Sequence, residues 1–420
     1  MKECESPMIR SLMLAYSFYY PLTMSLFWIV GGIAYFLRWE RKTSKHTDPP
    51  KLNRWPKATL VVPCHNEGSQ VRETLEYAAG QDYPDFEIIA IDDGSSDDTG
   101  RILDELTGLY PQLRVLHFPK NQGKAMGLRM AALAANSDFL ICIDGDALLD
   151  PHATRWLMWH LVTGPRVGAV TGNPRIRNRS TLLGRLQVGE FSSIIGLIKR
   201  AQRIYGRIFT VSGVIAGFRI SALHHVGYWN TDMVTEDIDV SWRLQMDFWD
   251  IRYEPNALCW ILMPETLRGL WKQRLRWAQG GVEVAGRYMG LMWKWHRRRM
   301  WLVLIEFSLS VLWSYVMLAV LLLSLCGLVI ALPPALHMPG PMPGWYGVIL
   351  SALCIVQFVV SLVIDRRYEE QIGRQFFWII WYPLVFWMIG MVTTVVALPK
   401  VLAKGTRTRA VWESPDRGIQ

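Results

Sequence analysis

Four long apolar stretches limit what this chain can become. Residues 11–37 carry no charge, and three further runs, about 300–332, 345–364 and 376–398, lie near the C-terminus. Each holds about 20 residues or more, enough to cross roughly 30 Å of hydrocarbon as a helix. The first is too long for a signal-peptide core, and no small-residue cleavage site follows it. The chain is therefore expected to be a membrane protein with an N-terminal transmembrane segment at 1–37 and transmembrane helices over 300–398.

Charge orients these spans. Residues 38–57 carry seven Lys/Arg against two acids, and residues 268–299 carry nine against one. The positive-inside rule puts both flanks of the central region in the cytoplasm. The net charge of +9 is mostly this juxtamembrane charge. It suits anionic membrane lipids as partners and argues against nucleic acid, because no basic run is interleaved with base-stacking aromatics away from the membrane. Five Lys/Arg against two acids in the tail 399–420 conflict with a third full C-terminal crossing. The run 376–398, interrupted by Pro383, is accordingly expected to be kinked or partly re-entrant, with a cytoplasmic tail. The six scattered cysteines form no C-x-x-C pair, which fits a reduced compartment.

From residue 58 the pattern changes. "ATLVVPC" (58–64), "EIIAIDD" (87–93), "RVLHF" (114–118) and "DFLICID" (138–144) read as strands alternating with helical stretches. Nearly continuous apolar strands signal a parallel sheet covered on both faces. The expected fold is α/β: a doubly wound, mostly parallel sheet over 58–262, reached through a basic linker at 38–57 and followed by interfacial amphipathic helices at 263–299. Such sheets bind ligands outside the carboxyl ends of their strands.

Acids gather at those ends. The second strand ends in "DDGSSDDT" with Asp92 and Asp93, and the fourth in "DGD" with Asp144 and Asp146. Each is also what a turn or helix N-cap looks like. Together they suit a hard divalent cation, Mg²⁺ or Mn²⁺, which takes a few carboxylates and completes its shell with phosphate oxygens and water. "NQGKA" (121–125) opens a helix and offers Lys124 to a phosphate. "TEDID" (235–239) adds Glu236, Asp237 and Asp239 at a helix start, with Thr235 a good N-cap. The helix N-terminus lowers a carboxylate pKa, whereas burial and neighbouring acids raise it, so the balance at Asp237 stays open here. "TVSGVIAGFR" (210–219) reads equally as a buried strand or as a wall near an acceptor. In 264–292, Leu267, Trp271, Leu275, Ala278 and Val282 recur at helical spacing with Arg268, Lys272, Arg276 and Gln279 off that stripe, as in a helix on a membrane surface.

These motifs, in this order, resemble the family 2 glycosyltransferases of the GT-A fold. The resemblance implies that Asp93, with Asp92 beside it, binds the nucleoside side of a UDP-sugar. It implies a metal on Asp144 and Asp146, substrate contacts from Lys124 and Glu236, and a catalytic base at Asp237. "QRLRW" matches the Q-x-x-R-W of processive membrane synthases, with Gln273, Arg274, Arg276 and Trp277 as substrate contacts. Residues 167–206, 259–281 and the tail "ESPDRGI" further resemble the bacterial poly-β-1,6-N-acetylglucosamine synthases.

What that implies is a processive inverting transferase of the bacterial inner membrane, multi-pass, with a cytoplasmic catalytic domain. UDP-N-acetylglucosamine would be the donor and a growing polysaccharide chain of the biofilm matrix the product. A small membrane subunit and cyclic di-GMP regulation are implied partners. A cellulose-, chitin- or hyaluronan-type synthase, a single-sugar transferase to a lipid carrier, and a UDP-sugar-sensing transporter are the competing readings. The last is opposed by acids at every motif position and by the scarcity of ionisable residues in the C-terminal spans.

Overall fold

The computed structural model describes residues 6–334, 336–340, 344–379 and 382–403. Eight strands follow in chain order: β1 (Ala58–Cys64), β2 (Phe86–Asp92), β3 (Leu113–His117), β4 (Phe139–Ile143), β5 (Leu148–Leu149), β6 (Val167–Ile176), β7 (Ile215–Arg219) and β8 (Asp250–Ile261). They form one sheet in the order β3-β2-β1-β4-β7-β6-β8-β5. Every residue of β1 and β4 is buried, because helices cover both faces. The β3-β2-β1-β4 half is parallel. Beyond β4 the sheet becomes mixed: β7 runs antiparallel to β4 and β6, while β8 runs parallel to β6. The doubly wound half matches the sequence pattern, with strand boundaries differing by about one residue.

The helices are α1 (Ser6–Arg38), α2 (Val71–Ala79), α3 (Thr99–Thr107), α4 (Lys124–Ala134), α5 (Ala153–Thr163), α6 (Leu182–Glu190), α7 (Leu197–Tyr205), α8 (Ile220–His225), α9 (Glu236–Met246), α10 (Leu267–Met292), α11 (Trp301–Cys326), α12 (Trp345–Asp365), α13 (Phe376–Ile379) and α14 (Tyr382–Ala403). A π-helical segment, Phe191–Gly196, joins α6 to α7. Among the described residues, three helical stretches are long and apolar enough to cross a membrane: Met8–Lys42, Trp295–Cys326 and Trp345–Asp365. A shorter apolar helix covers Trp387–Ala403. Helix α14 continues past the expected boundary at 398, through Pro399, to Ala403. The expected kink within 376–398 falls partly on residues outside the described set, as does the tail beyond 403.

The first span is seated directly on the sheet domain. A Cβ on Gly32 would lie 2.2 Å from Leu197 Cδ1, and one on Gly31 would lie 2.7 Å from Ala201 Cβ. Only glycine lets α1 approach α7 this closely. Between those two contact residues on α7, Arg200 pairs with Glu40 at 2.6 Å and with Asp365 at 2.9 Å. Asp365 also accepts from Arg175 Nη1 at 2.7 Å and Ser192 Oγ at 2.6 Å. Glu40 follows α1, Asp365 ends α12, and Arg175 belongs to β6. The node therefore ties two membrane helices to the sheet.

Arg200 and Asp365 are fully buried. Removing one charge from such a pair strands the other, at a cost of about 3–5 kcal/mol. Asp365→Asn is expected to lower the thermal unfolding midpoint of the detergent-solubilised protein markedly, and an unchanged midpoint would show that the node does not hold the two parts together.

Candidate active site

The site begins where β2 stops. Asp93 accepts the backbone N–H groups of Gln122 at 2.6 Å and Gly123 at 2.8 Å. Gly123, at φ +87°, turns the chain into α4, whose first residue is Lys124. Asp92 accepts the Ser95 N–H at 3.0 Å and pairs with His117 at 3.0 Å. Both carboxylates of the DDGS loop make hydrogen bonds that order it, and neither lines the main cavity. Asp93 thereby stations Lys124.

Lys124 is the meeting point of the other acids. Its ammonium pairs with Asp144 Oδ1, donates to the Gly213 carbonyl at 3.0 Å, and lies 3.5 Å from Glu236 Oε1. Burial alone would lower its pKa, but Asp144 and Glu236 raise it above the ordinary lysine value. A Cβ on Gly213 would lie 3.3 Å from Asp237 Oδ2 and 3.5 Å from Lys124 Nζ, so this backbone reaches both groups. The fold thus brings the D-x-D and TED motifs into one cavity, which Asp144, Asp146, Glu236 and Asp237 all line. Burial, then the neighbouring Glu236, pushes the Asp237 carboxyl up to about 6, against Lys124, the Ile238 N–H and Arg276. At the start of α9, burial and Glu236 thus outweigh the opposing Lys124, Ile238 N–H and Arg276.

Within TEDID the roles divide. Asp239 is fully buried and accepts from Tyr288 Oη at 2.7 Å and Arg243 Nη2 at 2.6 Å, joining α9 to α10. Thr235 occupies the N-cap position, yet its side chain makes no cap hydrogen bond. The reason is α10: a Cβ on Gly280 would stand 2.0 Å from Thr235 Oγ1. Thr235 is pressed against the crossing helix and faces the cavity instead.

Helix α10 carries QRLRW. Gln273, Arg276 and Trp277 line the cavity, with Arg276 exposed at its rim. Arg274 does not. It pairs with Glu190 at 2.7 Å and stacks over Trp277 with 4.3 Å from its Cζ to the ring centroid. Of the expected stripe, Leu267 and Trp271 remain exposed while Val282 is buried. The face against the domain is set by Leu270, Arg274, Gly281, Val284 and Tyr288. In "TVSGVIAGFR", Thr210 to Val214 line the cavity, and Ile215–Arg219 form the buried strand β7.

The cavity, about 610 Å³, does not stop at the catalytic domain. It continues past Trp277 to Tyr20 and Trp28 of α1, Trp313 of α11, Phe358 of α12 and Trp387 of α14. Sequence reasoning missed two charged lining residues: Glu306, within the apolar run at 300–332, and Lys199. The lysine reads as one more basic residue in "IKRAQR".

Asp144 and Asp146 fit a divalent cation. Burial and then Asp144 raise Asp146 to about 7, as a buried acid beside a like charge requires. Among the described residues no cluster of three acid, His or Cys ligands occurs. Two carboxylates leave coordination positions for phosphate oxygens and water, as Mg²⁺ or Mn²⁺ sites on phosphate substrates do.

A family model described as "Glycosyltransferase like family 2" matches residues 56–280. A poly-beta-1,6-N-acetyl-D-glucosamine synthase of Staphylococcus epidermidis is 38% identical over 401 residues, covering 95% of this chain and 97% of that protein. One of Staphylococcus aureus matches with the same identity and coverage, 38% over 95% of this chain and 97% of its own. A solved mannosyltransferase from Pyrobaculum calidifontis, in complex with GDP-Man and Mn²⁺, superposes with a TM-score of 0.65 at 19% identity, covering 96% of this chain and 100% of that one. The sheet is thus of the GT-A type, with its acids at the strand ends.

The Gly280 contact predicts a specific defect. Gly280→Ala forces Thr235 and the start of α9 to move, an overpacking cost of about 1–3 kcal/mol. The thermal midpoint of Gly280→Ala should fall, and Thr235→Gly in the same chain should restore much of it; no rescue would mean that this contact is not what the alanine disturbs.

Proposed function

The chain belongs to the family 2 glycosyltransferases, and from that premise we propose that it polymerises N-acetylglucosamine from UDP-N-acetylglucosamine into a β-1,6-linked chain and passes that chain across the bacterial inner membrane. The observation that carries this is the single cavity running from Asp144, Asp146 and Asp237, past Trp277, to side chains of the membrane helices. A single-sugar transferase has no need of such a path. The sugar and the linkage come from the relatives' names. The cytoplasmic placement of the catalytic domain comes from the basic flanks of the spans. The motif resemblance read from the sequence, rather than the relatives' names, extends the proposal to a small membrane subunit and to control by cyclic di-GMP.

The reaction is one displacement. Asp237 accepts the proton of the acceptor hydroxyl as its oxygen bonds to the anomeric carbon, and the bond from that carbon to the UDP oxygen breaks. Attack opposite an α-linked leaving group leaves a β bond. Asp144 and Asp146 would hold Mg²⁺ or Mn²⁺, which when bound neutralises charge developing on the leaving diphosphate. Lys124, in ion-pair contact with Asp144, sets a fixed positive charge beside it. Arg276, at the rim, reaches toward the diphosphate. Trp277, backed by Arg274, offers its ring to the acceptor sugar. No second carboxyl must protonate the leaving group, which separates this chemistry from glycoside hydrolysis.

Asp237 works as a base only when ionised. Its pKa is raised to about 6, so turnover at saturating donor should fall as pH drops through that value and level off above it. Asp237→Asn should reduce turnover by at least about a hundredfold with UDP binding retained. Asp146→Asn should instead weaken metal-dependent UDP binding. Near-normal turnover of Asp237→Asn would remove the base assignment. The product is tested by supplying UDP-glucose and UDP-N-acetylglucosamine separately with Mg²⁺ and digesting any polymer with linkage-specific hydrolases. Polymer from UDP-glucose alone, or a product cut by a β-1,4-specific chitinase, would move the chain to a cellulose- or chitin-type branch.

A further inference from the structure

Lys199 is a buried charge that the displacement described above leaves unused. It lies on α7, is 6% exposed, and lines the cavity together with Phe191, Ile195, Ser212 and Asp237. Its ammonium donates to Thr171 Oγ1 on β6 at 3.0 Å. The same oxygen accepts the Ser212 N–H at 2.8 Å, so the hydroxyl is fixed between wall and loop. A lysine ammonium has three donors, and burying it without matched acceptors is costly. Burial lowers the Lys199 pKa to about 7, and the negative charge of Asp237 opposes that shift.

Its position places it on the acceptor side. The groups suited to a donor diphosphate, Asp144, Asp146 and Lys124, come from the end of β4 and the start of α4. Lys199 comes from the helix that packs along α1 through Gly31 and Gly32. It therefore stands where the wall of the catalytic cavity meets the first membrane span. The π-helical turn just before α7 is a second sign, since such turns cluster at functional sites. After it, Ile198, Lys199 and Gln202 all line the cavity.

Building on the reading of the chain as a polymerising transferase, we propose that Lys199 is an acceptor-binding residue, whose ammonium donates to an oxygen of the terminal sugar of the growing chain and so brings the reacting hydroxyl to Asp237. Thr171 holds the ammonium in place through one of its three donors. The others point the chemistry toward carbonyl or hydroxyl oxygens, which a sugar end supplies in number.

The experiment varies a short N-acetylglucosamine oligosaccharide as acceptor, at saturating UDP-N-acetylglucosamine, with the full-length enzyme in detergent. Lys199→Met should raise the acceptor KM by at least about tenfold, while UDP affinity from direct titration with Mg²⁺ changes by less than about twofold. Lys199→Gln keeps a donor without the charge and should fall between, and it carries the same comparison if the methionine variant does not fold. An unchanged acceptor KM overturns the proposal. A loss of UDP affinity in step with the acceptor defect also overturns it, because a merely structural lysine would disturb both sides. If the unaltered enzyme used a different UDP-sugar, the sugar assignment would fail separately, and the Lys199 comparison would be read with that donor and its matching acceptor.

Discussion

The arrangement of the site depends on Lys124. Four carboxylates, Asp144, Asp146, Glu236 and Asp237, line one cavity. Like charges held this close, and shielded from water, cannot all ionise without a counter-charge. Lys124 supplies it, linking the end of β4 to the start of α9. Its own place is set by the loop that Asp93 pins through Gln122 and Gly123. Three motifs far apart in the chain are therefore one electrostatic unit. A donor diphosphate with its divalent ion would compete for the same acids, so the resting ion pairs mark where substrate must exchange partners.

The catalytic domain and the membrane helices are joined by a different principle. At Gly31 and Gly32 the join is close backbone packing, and at Arg200 it is buried charge meeting buried charge. Arg175 and Ser192 donate to Asp365 Oδ2, and Oδ1 faces Arg200 Nη2 at 2.9 Å. Helix α10 completes the join from the other side, with Gly280 against Thr235 and Tyr288 on Asp239. The start of α9, which carries Asp237, is thus clamped by the same helix that presents Trp277. Asp237 and Trp277 are thereby held in fixed relation, as the proposed reaction at one chain end requires.

The parallel half of the sheet was legible in the sequence because β1, β2 and β4 are apolar along nearly their whole length. The mixed half was not. Strand β5 has two residues, β6 contains Pro174 and Arg175, and β8 is interrupted by Glu254 and Pro255. Those residues are tolerated because tertiary partners answer them: Arg175 meets Asp365, and Glu254 meets His160 at 2.8 Å. The acids of the site were legible as motifs, but not which of them were structural. Asp239 and Asp237 sit two residues apart, and Tyr288 and Arg243 claim the first while the second lines the cavity. Arg274 looks like a substrate residue until Glu190 is found beside it. Lys199 was hidden because a basic residue near a membrane span carries no mark of burial.

The central claim is that synthesis and export share one path. It is tested most directly by reconstituting the enzyme in sealed proteoliposomes with the catalytic domain outward, supplying UDP-N-acetylglucosamine and Mg²⁺ externally, and asking where the polymer lies. The account predicts a polymer resistant to added hydrolase until detergent opens the vesicles. A polymer fully digested in intact vesicles would show that the cavity between Asp237 and the membrane helices is not its route.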